Sequence, residues 1–398
     1  MGTIRLAGMP LTLFGYPAET VTNTRFASSD LARWDRIYLP AAVATLVDEP
    51  PLESVEFIED DNRSAILPDP VATIDGQELY LSVKGVGSSV DPYSWRALDR
   101  AYAAELSDDP DVRRRLQASP PGDSDRMLTG ELWLRGSPYG GQGLEHATTA
   151  LRVSERARGT DLAGFRIAPV VKVSLLPLAL EERLRSIHWY RKFPGRMAQE
   201  LRLVPSSTRV YFHGRNTIAS NVRHVFDQFG VDTNERAVRF ETNFVRSAVA
   251  MLTLFARTMV FEAADGRYRG LDYYDVWLDK DAVLAPDGTA YFVDLEGITE
   301  VALEAREVRE RIEDQVYRTL YEMMFAYEQI EGERTRRFGS LGTRKRQFES
   351  VLRRALETDR FVRPVDDGPH VTVEIRNNAE AQSFYTRFRL VDRSDGEL

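Results

Sequence analysis

The chain has 398 residues, a formal net charge of -9, 43% hydrophobic residues and no cysteine. Without cysteine there can be no disulfide scaffold, thiol nucleophile, Fe–S cluster or thiolate zinc site, and the length suits one large domain or two to three smaller ones. Net acidity argues against nonspecific nucleic-acid binding, which neutralises phosphates with many Lys and Arg, while leaving room for a local basic site. Nearly all positive charge sits on arginine. The lysines are Lys84, Lys172, Lys192, Lys280 and Lys345. A genome-composition bias produces such a skew, yet each lysine remains of interest because an ammonium is a compact point charge for a phosphate.

Residues 1–16 contain Gly8, Pro10 and Gly15, a poor signal-peptide core. The most apolar run, 248–261, includes Arg257 and falls short of the roughly 20 residues of a membrane span. A soluble, cytoplasmic protein without a membrane partner is therefore expected.

In chain order, residues 1–70 interrupt short apolar runs with Pro40, Pro50, Pro51, Pro68 and Pro70, which predicts an irregular wrapping segment. Residues 72–84 carry an Asp75-Gly76 turn signal, and Leu79, Leu81 and Val83 alternate as in a half-buried strand. The polar stretch 106–126 reads as a surface insertion and 130–135 as another strand. A helix follows Gly143, with Leu144, Ala147 and Leu151 on one face. Residues 167–176 form a further strand region, and 240–264 a long helix apolar nearly all round, the pattern of a buried helix. Residues 268–278 read as loop then strand, 285–288 as a tight turn, and 289–293 as the returning strand. Residues 300–331 then form an amphipathic helix through Val308, Ile312, Val316 and Leu320. A tail helix over 345–356 and strands over 371–375 and 388–391 complete the chain.

Three places could carry chemistry. The apolar strand ending at Asp294, with Gly297 shortly after, delivers a carboxylate rigidly to a strand end, suited to an oxygen-loving metal. Upstream, Asp272 and Asp275 lie in a loop between the buried helix and the next strand; Asp275 suits a second metal ligand, and Asp272 a base or further ligand. Lys84 ends a strand just before Gly85 and Gly87, so its ammonium and the glycine-spaced amides suit a polyphosphate. Either Glu145 or Glu155 on the helix after Gly143 is a candidate partner for Lys84.

The order of buried helix, acidic loop, strand, turn, strand and aspartate is that of protein-kinase-like folds. The runs 81–89, 140–157 and 202–210 further resemble the selenoprotein O family, most specifically in Arg202 and Arg209, seven residues apart around Pro205-Ser206. The resemblance covers residues 75–297. It implies an α+β, bilobal, protein-kinase-like fold with a mixed N-terminal lobe built on an antiparallel sheet and a mainly helical C-terminal lobe. It also implies transfer of AMP from ATP to a protein hydroxyl. Lys84, Gly85, Gly87, Arg202, Arg209 and Glu155 would then bind the nucleotide, Asp272 and Asp275 serve catalysis, and Asp275 and Asp294 hold Mg²⁺ or Mn²⁺. The expected organisation is 1–70 wrapping segment, 71–180 N-lobe, 181–360 C-lobe and 361–398 tail. The chain departs from the family by having Tyr274 at its base position, Gly-Gly-Gln where it has Asp-Gly-Arg, and no redox cysteine.

Phosphoryl transfer from the same site, and a nucleotide- or partner-binding protein without catalysis, are the alternatives. The acceptor protein is not readable, and nucleic acid is not an expected partner. The five histidines, His146, His188, His213, His224 and His370, have no zinc-hydrolase spacing. The basic, aromatic stretch 185–196 suits lobe packing better than base stacking, and Ser206 lacks a nucleophile elbow.

Overall fold

A computed structural model describes residues 10–24, 33–61, 64–74, 76–86, 142–157, 166–186, 195–210, 218–273, 276–295, 297–339, 344–358, 362–366, 371–375 and 386–390. The expected insertion at 106–126, the strand at 130–135, Gly87, Tyr274 and Asp275 lie outside these residues. The architecture is mixed α+β, with a large antiparallel sheet and several helices. The chain divides into two compact units, one of residues 6–155 and 168–207, the other of 1–5, 156–167 and 208–398.

The sheet unit holds β1 (Pro10–Pro17), β2 (Thr20–Thr22), β3 (Arg36–Pro40), α1 (Ala41–Ala44), β4 (Glu53–Asp61), β5 (Ser64–Ile74) and β6 (Gln77–Lys84). It continues with β7 (Gln142–Gly143), α2 (Leu144–Ala157), β9 (Val170–Leu175), α3 (Leu178–Ser186) and β10 (Met197–Val204). The strands run β2-β9-β10-β6-β5-β4-β1-β3, with β7 also against β10. The proline-rich start thus contributes regular strands. Pro40 closes β3, while Pro68 and Pro70 sit where the β5–β6 register shifts, so the missing N–H groups fall at irregularities of the ladder. The boundary expected near 180 lies inside this unit, because β10 bonds between β9 and β6.

One face of the central strands carries Leu81, Val83, Leu201 and Leu203 into a core shared with Leu13, Tyr38, Leu39 and Phe57. Tyr80, Ser82 and Lys84, on the alternate positions of β6, are buried as well. The strand is therefore covered on both faces rather than half-buried.

The helical unit contains β8 (Arg166–Ile167), α4 (Ile218–Gln228), α5 (Asn234–Leu252), α6 (Leu254–Thr258), β11 (Val260–Glu262), β12 (Arg267–Asp272) and α7 (Leu278–Asp281). Then come β13 (Ala282–Leu284), β14 (Ala290–Phe292), β15 (Thr299–Leu303), α8 (Ala305–Phe338), α9 (Arg344–Thr358), β16 (Val362–Asp366), β17 (Val371–Ile375) and β18 (Thr386–Leu390). The last three strands form an antiparallel sheet. α5 begins at the Thr233 cap, whose hydroxyl accepts from the Arg236 N–H at 3.3 Å. It stops at Leu252, earlier than its apolar pattern suggests. Thr253 turns its hydroxyl back onto the Ala250 carbonyl at 3.1 Å, and β-branched Val260 enters β11.

α8 begins later than its periodicity suggests. Residues 299–303 pair with β12 instead, and Glu304 and Glu307 form a reciprocal capping box, the Glu304 N–H donating to Glu307 Oε2 at 2.8 Å. α8 is joined to α5 by a buried ion pair between Arg334 and Glu241, with Glu331 3.6 Å from the same guanidinium. Between β13 and β14, Gly288 has φ 88° and a Cβ there would stand 2.2 Å from the Phe240 carbonyl oxygen. Only glycine fits this contact between the hairpin and the buried helix.

Candidate functional site

In the sheet unit the register of β5, β6 and β10 sets Ser64, Lys84 and Glu200 opposite one another, and Ser82 opposite Arg202 in the next row. Side chains of paired residues share a face. Lys84 is 1% exposed, and Glu200 and Arg202 are fully buried, so none is a solvated surface charge. Arg202 Nη1 lies 3.8 Å from Glu200 Oε1, its Nη2 donates to Ser64 Oγ at 3.4 Å, and Gln142 Nε2 donates to Glu200 Oε2 at 3.3 Å. Gly85 follows Lys84 with φ 97°, a conformation that favours glycine and turns the chain out of the strand.

Sequence reasoning sought a carboxylate for Lys84 on the helix. Glu145 is exposed, and Glu155 accepts from the N–H and hydroxyl of Thr24 at 2.8 and 3.1 Å. The carboxylate in register with Lys84 is Glu200 of β10. Its signal was the alternation Glu200-Leu-Arg202-Leu, which places two ionised groups on one face of a strand whose other face is apolar.

In the helical unit, β13 and β14 form a hairpin, and Asp281 precedes it just as Asp294 follows it. The Val293 N–H donates to the Asp281 carbonyl at 2.8 Å, so the pairing brings both carboxylates to the open end of the hairpin. Asp281 is buried and accepts from the Trp277 N–H at 2.8 Å. Burial, and then the neighbouring Asp294 charge, push its carboxyl up to about 7. The Asp294 side chain is 24% exposed.

Two cations flank the pair. Arg209 Nη1 lies 3.6 Å from Asp294 Oδ2 and donates to the Lys280 carbonyl at 2.6 Å, while Lys280 Nζ lies 3.6 Å from Asp281 Oδ2. Residues 208–210 run beside β13, with Leu284 N–H to Thr208 carbonyl at 2.7 Å and Val210 N–H to Ala282 carbonyl at 3.1 Å. Arg209 is thereby fixed to the hairpin, whereas Arg202 belongs to the sheet unit. Asp272, at the end of β12, is buried and lies 3.3 Å from Arg311 of α8.

Asp281 was missed because 268–278 read as loop then strand and nothing was assigned between that strand and the 285–288 turn, where the one-turn helix α7 stands. The available signal was its symmetry with Asp294 about the hairpin. Two carboxylates, one buried and one partly open, form a hard oxygen donor set that fits Mg²⁺ or Mn²⁺, since such ions complete their shell with water and substrate phosphates. Among the described residues no group of three or more His, Cys, Asp or Glu could hold a metal, and no helix is long and apolar enough to cross a membrane. No family model, curated protein or solved structure matches the chain.

Proposed function

We propose that the protein is a divergent relative of selenoprotein O with a bilobal, protein-kinase-like fold, which uses Mg²⁺-ATP to transfer AMP to a protein hydroxyl. The acceptor oxygen bonds to the α-phosphorus, the bond from that phosphorus to the α,β-bridging oxygen breaks, pyrophosphate leaves, and the acceptor hydroxyl proton passes to a carboxylate. The observation that carries the reading is the placing of Asp281 and Asp294 at the open end of one hairpin, where the Asp294 charge acts on the buried Asp281 carboxyl. Such repulsion is relieved by a divalent cation.

Asp294 and Asp281 would hold the metal, with Asp275 retained as a further ligand. The bound ion supplies charge neutralisation on the phosphates. Arg209 orients Asp294 and adds positive charge. Lys84 and Arg202, braced by Glu200, supply rigid cations for the triphosphate, and Gly85 and Gly87 a close backbone approach. Asp272 is assigned the acceptor proton. Positioning and preorganised charge would do most of the catalysis.

The test is incubation of the protein and a candidate acceptor with ATP labelled at the α or at the γ phosphate. Retained α label with no γ label supports AMP transfer; γ label alone replaces it with phosphoryl transfer; no label sinks both. A second reading, nucleotide binding without catalysis, is favoured by one contact: Asp272 is engaged by Arg311 at 3.3 Å, so its carboxylate already has a partner other than an acceptor hydroxyl. ATP-dependent thermal stabilisation without label transfer would select it.

A further inference from the structure

We propose that Glu322 and Arg318 of α8 are positioning residues that hold the turn bearing Asp281, an inference that rests on reading Asp281 as a metal carboxylate. α7 spans only Leu278–Asp281. A four-residue helix has too few internal bonds to persist alone, and its first N–H groups have no partner within it. Its N-cap residue, Trp277, provides no side-chain cap.

The cap comes from another helix. Glu322 Oε2 accepts the Leu278 N–H at 2.8 Å, and the same carboxylate takes the Asp279 N–H. Arg318, one turn earlier on α8, lays its guanidinium 4.3 Å from the centre of the Trp277 ring. From the other side Asp281 accepts the Trp277 N–H. The turn is thus gripped at Trp277, Leu278 and Asp279 by side chains on a long, amphipathic helix, and Asp281 lies two residues on.

Glu322 is 1% exposed and lies beside the buried Asp279. Burying a carboxylate next to another is costly. A position whose only duty was packing would be better filled by leucine. The retained carboxylate matches the two backbone donors it satisfies, and its effect is to fix where Asp281 points.

The experiment uses the full chain and Mn²⁺ as the probe, with free Mn²⁺ read by electron paramagnetic resonance. Glu322→Leu should weaken Mn²⁺ binding about tenfold, the scale for groups that orient a metal ligand. Glu322→Gln, which keeps an acceptor oxygen, should stay near wild type, and that rescue separates positioning from charge. Wild-type Mn²⁺ affinity in a folded Glu322→Leu overturns the proposal. If Glu322→Leu does not fold, Arg318→Ala carries the test, with weaker Mn²⁺ binding expected and unchanged binding overturning it.

Asp294→Asn is the control that keeps the two ideas apart. If it leaves Mn²⁺ affinity unchanged, the metal reading fails. Hydrogen exchange at the Leu278 and Asp279 amides then reads the grip directly: faster exchange in Glu322→Leu supports it, and unchanged protection overturns it.

Discussion

In the sheet unit the Glu200 carboxylate lies 3.8 Å from the buried Arg202 guanidinium and in register with the buried Lys84, whereas in the helical unit the Asp281 carboxylate feels the charge of a second carboxylate, Asp294. Both arrangements remove ionised groups from water, which is costly in either case. In the sheet the opposite charges and the hydrogen bonds from Gln142 and to Ser64 offset that cost. At the hairpin the like charges add to it, and Arg209 and Lys280 relieve it only in part. The sheet cluster therefore has the properties of a prebuilt frame, and the hairpin cluster those of a place whose stability improves when a cation arrives.

That contrast can be broken by mutation. Asp294→Asn should lower label transfer from ATP by about 10³-fold, at the upper end for loss of one preorganised group, with little change in the thermal midpoint. Parallel activity and melting measurements check it, and a large fall in stability would mean that Asp294 is structural. Glu200→Gln should do the reverse in its primary effect, destabilising the fold by roughly 3–5 kcal/mol because the buried Arg202 loses its carboxylate. Urea unfolding reads this directly.

A third buried carboxylate shows what an ordinary structural pair does. Burial pushes Glu241 up to about 7 although Arg334 opposes the shift. Its contribution to stability is complete below the ordinary 4.5 and is lost as pH rises through about 7. Stability measured between pH 5 and 8 should fall with pH by up to about 3 kcal/mol on this account, and Glu241→Gln should flatten that fall.

Asp281 follows the same sign, its contribution complete below 3.8 and lost as pH rises through about 7. Asp281→Asn should therefore stabilise the metal-free protein at pH 8, by roughly 1–3 kcal/mol, while weakening Mn²⁺ binding. Loss of stability in this variant would remove the like-charge argument. The smallest effect tests only the scaffold: Glu304→Ala should cost about 1 kcal/mol through the lost capping box of α8, read by thermal unfolding.

The distribution of legible and illegible features follows from how local each one is. The β5–β6 hairpin, the β13–β14 hairpin with Gly288, and the buried character of α5 were readable because turn residues and apolar runs act on neighbours. The regular strands in 10–70 were not, since their proline interruptions look like loop signals and only ladder pairing with distant strands absorbs them. Lys84 and Asp294 could be nominated by residue type and position, and Arg202 and Arg209 by the family resemblance alone. Glu200 could not be matched to Lys84, because a strand far along the chain supplies it and cross-strand register is a property of the folded sheet.

The sequence by itself determined the composition-level exclusions, the alternation of sheet-forming and helix-forming stretches, and the identity of the ionisable residues that stand at strand ends. Tertiary structure decided which of those residues meet. It placed Glu200 rather than a helix glutamate in register with Lys84, set Asp281 against Asp294 across a hairpin, and left Glu155 bonded to Thr24. The physical reason is the reach of each force: backbone propensity and hydrophobic period act over a few residues, while charge pairing depends on distances that exist only after the chain has folded.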